Sequence, residues 1–124
     1  MFYDKNNRSA EAVETVIGEH CVIVGNLSGS GTLKVNGSID GDIDWQDNVI
    51  FTQPSVHNGN LNCKNVIVSG KIIGNIICED TLTIESSGKV IGDITIKNLI
   101  IQEGGCLDGK STMLVDVPQI EVLE

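Results

Sequence analysis

The apolar and polar positions of this chain repeat. A glycine followed by Asn or Asp and then Leu or Ile recurs as Gly25-Asn26-Leu27, Gly41-Asp42-Ile43, Gly59-Asn60-Leu61, Gly74-Asn75-Ile76 and Gly92-Asp93-Ile94. These glycines lie 16, 18, 15 and 18 residues apart, and Gly109 follows 17 later as a degenerate sixth member before Lys110 and Ser111. Other columns run in step. Alternating apolar pairs follow each unit as Leu33/Val35, Val49/Phe51, Val66/Val68, Leu82/Ile84 and Leu99/Ile101. Their period of two is the signature of a half-buried strand. Shortly before each glycine stands a further apolar residue: Ile23, Ile39, Val56, Ile72, Val90 and Leu107.

Each unit therefore holds three short strands whose apolar side chains point one way. Three strands per 15–18 residues close into one triangular coil. A single coil cannot bury its own apolar face, whereas stacked coils bury a continuous column. The stacking distance is about 4.8 Å. The prediction is an all-β fold, a parallel β-helix of about six triangular coils spanning residues 15–117. Flexible tails at 1–14 and 118–124 flank it, and a single helical turn is expected over Ser9 to Glu14. A left-handed β-helix keeps a strict six-residue repeat; the uneven spacing here favours the right-handed form.

The corners carry turn chemistry. The glycine column suits positive φ beside a short polar side chain. A second corner carries Asn48, Asn65, Asp80 and Asn98, and a third varies in length, from Asn36-Gly37 to Thr52-Gln53-Pro54-Ser55. Loops absorb insertions that stacked strands cannot.

Composition narrows the function. Among 124 residues, 17 Asp and Glu stand against 8 Lys and Arg, so no basic stripe exists to meet nucleic-acid phosphates. The 14 glycines and 3% aromatics fit a thin core of β-branched side chains. No secretory signal or membrane span is seen. Cys21, Cys63, Cys78 and Cys106 form no CxxC pair, and the expectation is a cytosolic protein with reduced thiols. Cys63 and Cys78 fall in one inward column with Gly29, Trp45 and Ile96, where thiols act as small hydrophobes. Trp45 in the same column reads as core filling, with the alternative that it crowds a narrow coil and bulges it.

These residues in order resemble the opening of a bactofilin domain. The similarity lies in Thr15-Val16-Ile17-Gly18, Gly25-Asn26-Leu27-Ser28-Gly29-Ser30-Gly31 and Val35-Asn36-Gly37-Ser38-Ile39-Asp40-Gly41-Asp42-Ile43, and it runs to about Val115. The resemblance implies a right-handed β-helix that polymerises end to end, without nucleotide, into non-polar filaments. It further implies a bacterial cytoskeletal scaffold at the inner face of the cytoplasmic membrane, organising cell-shape factors, cell-wall enzymes or polarity proteins.

The residues themselves suggest where such contacts lie. Open solenoid ends present unpaired strand edges unless polar repeats cap them. The N-terminal end offers Ile17, Val22, Ile23, Leu27 and Leu33. The C-terminal end offers Leu107, Met113, Leu114, Val115 and Val117, with the alternative that the residues after Val115 fold over the last coil. Met1, Phe2, Tyr3, Lys5 and Arg8 resemble the apolar and basic tip of bactofilins. Burial of Phe2 is worth roughly 1.5–3 kcal/mol and each cation about 1 kcal/mol near an anionic leaflet. One tip is a marginal anchor, but a filament presents many. Outward positions between core residues place Ile50, Ile67 and Ile100 on one face, a candidate for lateral bundling or a partner protein. Asp40, Asp42, Asp44 and Asp47 read as a solvated rim.

Two rival readings remain. One is a monomeric binding module that presents the isoleucine face. The other is an enzyme of the left-handed β-helix acyltransferase or carbonic anhydrase kind. The anhydrase site needs three histidines; this chain has His20 and His57, both expected to be solvated. No nucleophile stands with a base and an orienting group, so no catalytic residue, metal or cofactor is expected.

Overall fold

The computed structural model describes residues 14–114. Strands and turns build six coils of three strands each. Coil 1 holds β1 (Thr15–Ile17), β2 (Val22–Val24) and β3 (Leu27–Gly29). Coil 2 holds β4 (Thr32–Val35), β5 (Ser38–Asp40) and β6 (Ile43–Trp45). Coil 3 holds β7 (Asn48–Phe51), β8 (Val56–Asn58) and β9 (Leu61–Cys63), and coil 4 β10 (Asn65–Val68), β11 (Lys71–Ile73) and β12 (Ile76–Cys78). Coil 5 holds β13 (Thr81–Ile84), β14 (Lys89–Ile91) and β15 (Ile94–Ile96), and coil 6 β16 (Asn98–Ile101), β17 (Cys106–Asp108) and β18 (Ser111–Met113).

Equivalent strands pair in parallel into three six-stranded sheets: A from β1 to β16, B from β2 to β17 and C from β3 to β18. This is the parallel β-solenoid of six coils that the repeat predicted. Its core is a column of five inward positions per coil. Sheet A supplies Leu33/Val35, Val49/Phe51, Val66/Val68 and Leu82/Ile84, all at 0–1% exposure.

The corner between sheets B and C has steric control. Gly41, Gly59, Gly74, Gly92 and Gly109 have φ of +152°, +144°, +147°, +141° and +155°. A β-carbon on any of them would collide with the carbonyl oxygen of the glycine one coil before. Beside them runs a side-chain ladder. Asp42 N–H donates to Asn26 Oδ1 at 3.0 Å, Asn60 N–H to Asp42 Oδ1 at 3.0 Å and Asn75 N–H to Asn60 Oδ1 at 3.2 Å. Asp93 N–H donates to Asn75 Oδ1 and Lys110 N–H to Asp93 Oδ1, both at 3.1 Å. Glycine lets the coils approach, and the following Asn or Asp satisfies a backbone donor that the turn would otherwise strand.

The corner between sheets A and B also holds glycines with no room for a β-carbon, at Gly37, Gly70 and Gly88, but its length varies. It spans two residues at 36–37 and 69–70 but four at 52–55, 85–88 and 102–105. Much of the uneven spacing arises there.

Trp45 fits without bulging its coil. Its ring lies over Gly29, with Cη2 only 2.6 Å from where a β-carbon would sit, and its Nε1–H donates to Gly31 O at 2.9 Å. Trp45 and Gly29 are register partners, so the bulky and the absent side chain complement each other.

Candidate assembly surfaces

Among the described residues, every interior coil is covered on both sides and the first and last are covered on one. The strands β1, β2 and β3 close one end of the three sheets, and β16, β17 and β18 the other. Each offers an unpaired backbone edge among the described residues, a template for a further strand.

The two ends differ in their side chains. In coil 6, Ile101 is 43% exposed, Met113 48% and Leu114 42%, while Leu99 and Leu107 are half-buried. In coil 1, Ile23 and Leu27 are half-buried against the core and Ile17 is buried. Two expected end residues sit elsewhere. Leu33 is completely buried in coil 2, beneath Thr15 of coil 1, so it belongs to the interior. Val22 is exposed but lies on the outer wall of sheet B, because alternation turns Ile23 inward instead. Val115 and Val117 lie outside the described residues, as do Met1, Phe2, Tyr3, Lys5 and Arg8. Ile101 is a further end residue that the sequence reading does not include; its signal is its inward place in the sixth coil, the last among the described residues.

Each sheet also has an outer wall. On sheet A the outward row is Val16, Lys34, Ile50, Ile67, Thr83 and Ile100, in register along the stack. The three isoleucines align as expected, with Thr83 between the second and third; Ile67 and Ile100 are exposed and Ile50 half-buried. No carboxylate stands in this row. Sheet C is wetter: Ser28, Asp44, Asn62, Ile77, Thr95 and Thr112 face out.

His57 departs from expectation. It is wholly buried in sheet B, in register with Ile39 and Ile72, and Val56 is turned outward. The other column members stand two residues before their glycine; Val56 stands three before Gly59 and His57 two. A constant offset from glycine was the signal. His57 Nε2–H donates to Gly41 O at 2.8 Å, and the ring stacks on Phe51 at 5.7 Å. Nδ1 is buried without a partner. Burial pushes the imidazole pKa below its usual value, opposed by the Gly41 hydrogen bond and the charges of Asp42 and Asp40. The ring is thus a neutral core residue. His20 is exposed at a turn, as expected.

Cys63 and Cys78 are buried register partners on adjacent coils. The Cys78 thiol reaches Lys64 O at 2.9 Å and Thr81 O at 3.2 Å. The contact with Cys78, and then burial, push the Cys63 thiol far up, so it stays protonated. Among the described residues no three His, Cys, Asp or Glu side chains converge to hold a metal ion, and no helix is long and apolar enough to cross a membrane.

The comparisons with known proteins bear on these surfaces. A family model described as bactofilin, polymer-forming cytoskeletal, matches residues 15–112. Bactofilin BacP of Myxococcus xanthus is 31% identical over 105 residues, covering 85% of this chain but only 44% of BacP. The chain thus spans less than half the length of that relative. Bactofilin BacO of the same organism is 28% identical, covering 86% of this chain and 84% of BacO. Among solved structures, a cryo-EM reconstruction of Thermus thermophilus bactofilin double helical filaments shares the fold with a TM-score of 0.74 at 15% identity. It covers 82% of this chain and 100% of that one.

Proposed function

The chain belongs to the bactofilins, a polymer-forming cytoskeletal family, and from that premise we propose how it builds and places its filament. As a bactofilin it is a structural, filament-forming scaffold and not an enzyme. The filament grows end to end, without nucleotide, by joining terminal coils, and it is non-polar. The observation that carries this reading is the open last coil, where Ile101, Met113 and Leu114 are 43%, 48% and 42% exposed. Interior residues of the columns that end in Ile101 and Met113, such as Phe51 and Ile96, are fully buried by the coil above. A second copy seated on the end would complete both the strand ladders and the core.

Two finer proposals follow. Filaments pair laterally through the row of Ile50, Ile67 and Ile100, in keeping with the double helical filaments of the Thermus thermophilus bactofilin. Filaments also lie at the cytoplasmic face of the membrane, held by Met1, Phe2, Tyr3, Lys5 and Arg8. There they organise cell-shape factors, cell-wall enzymes or polarity proteins. Avidity along a polymer multiplies a weak tip by roughly 10²–10⁴.

Negative-stain electron microscopy of the purified chain, at physiological salt and without nucleotide, tests the assembly. Long unbranched filaments are expected. Discrete particles of one coil stack would overturn end-to-end growth and favour a binding module that offers the isoleucine row to another protein.

A further inference from the structure

The outer wall of sheet B differs from the other two. Its first outward row is Val22, Ser38, Val56, Lys71, Lys89 and Cys106. Its second row places Ile73 and Ile91 directly beside the two lysines. Lys71 and Lys89 are register partners on adjacent strands, both exposed, so two like charges stand one strand spacing apart. Direct opposition of like charges destabilises a sheet unless something offsets it. Neither lysine makes an ion pair with a described residue; of the wall's own carboxylates, Asp40 lies in coil 2, and Asp108 in coil 6 borders the patch as the register partner of Ile91. Glu85, on the corner preceding Lys89, accepts a hydrogen bond from Ser69 and makes no ion pair with either lysine.

The result is a flat cationic and aliphatic patch on a chain of net charge −9. Val56 is 39% exposed at its edge, and Ile73 and Ile91 are half-buried within it. Farther along the same wall, coil 1 exposes Val22 at 69% and Val24 at 78%. Aliphatic side chains beside unneutralised lysines match the interfacial region of an anionic bilayer, where headgroups relieve the repulsion and the aliphatic groups meet the acyl boundary. Sheet C carries no lysine in its outward row, and the sheet A row offers a single cation, Lys34.

We propose that sheet B is the face of the filament that lies on an anionic lipid bilayer, with Lys71 and Lys89 as its headgroup contacts. The proposal rests on the membrane reading given above and adds a second contact to the N-terminal tip. Because every protomer repeats the patch, a weak contact becomes strong along a filament.

The test is co-sedimentation of the assembled full-length chain with vesicles of mixed phosphatidylglycerol and phosphatidylcholine, and with phosphatidylcholine alone. Wild type is expected on the first only, with binding weakened by salt. Lys71→Glu and Lys89→Glu should each lower apparent affinity about fivefold or more. Lys64→Glu, the same charge change on the corner between sheets C and A, should change it less than twofold. Circular dichroism and electron microscopy check that each variant still folds and polymerises. If wild type binds neither vesicle, the membrane reading fails with the proposal. If deletion of residues 1–8 abolishes binding while Lys71→Glu and Lys89→Glu bind as wild type, the sheet B face is overturned and the tip stands. Equal loss in all three lysine variants also overturns it, because net charge alone would then govern.

Discussion

Phe51 and Ile101 occupy the same column of sheet A, three coils apart. Phe51 is 0% exposed and Ile101 43%. Nothing local separates them: both end a four-residue strand after an inward aliphatic residue, and both precede a four-residue corner. The difference is the neighbour. Phe51 has β10 above it, and Ile101 has no described strand beyond its own. A solenoid thus makes its core and its sticky end from one residue pattern, and position in the stack decides which a residue becomes. Interior residues answer to stability and, in the proposed filament, terminal ones to contact between copies.

That contrast can be broken most severely at the glycine corner. Gly74→Ala puts a β-carbon onto the Gly59 carbonyl at a φ of +147°. A loss of at least about 3 kcal/mol is expected, read by urea denaturation, with folding abolished if the coils cannot separate. Phe51→Ala should cost about 3–5 kcal/mol through the cavity left among buried neighbours. Ile101→Glu should act in the opposite sense. Filaments should vanish from electron micrographs while the β-rich circular dichroism spectrum is kept. An unfolded Ile101→Glu would erase the distinction between interior and end.

His57 sharpens the comparison from within the core. Its folded pKa is depressed by burial. The unfolded chain therefore binds a proton below pH about 6.5 that the folded chain refuses. Stability is fully present above that pH and declines as pH falls from there toward the depressed value. His57→Met should flatten this decline in denaturation midpoints measured across mildly acidic pH. It should also lower stability at neutral pH by about 1–3 kcal/mol, because Gly41 O loses its donor. The mildest change is Asn75→Ala, which removes one rung of the corner ladder. About 1 kcal/mol is expected, with filaments intact.

Much of the fold was legible because its causes are periodic. Alternation placed Leu33/Val35 and Leu82/Ile84 inward, and the Gly-Asn and Gly-Asp pairs marked one corner. The row of Ile50, Ile67 and Ile100 came from the same alternation, and its register holds. The misses share another cause. Val56 is apolar and reads as inward, but the middle residue of the sheet B strand points in whatever the corner length, and in coil 3 that residue is His57. Leu33 was read as terminal from its place early in the chain, yet coil 1 covers it. The lysine pair of sheet B was not visible at all: Lys71 and Lys89 lie 18 residues apart and become neighbours only when coils stack.

What the sequence determined by itself, then, was the coil: strand alternation and glycine sterics act over a few residues, and each unit carries its own copy of both. The tertiary structure alone decided everything that depends on the coil above or below. Gly29 vacates the space for the Trp45 ring, Gly41 supplies the acceptor that makes a buried histidine tolerable, and Ile101 is 43% exposed with no described strand beyond its own. Those are contacts between residues a full coil apart, and no local rule of propensity or pattern reaches that far.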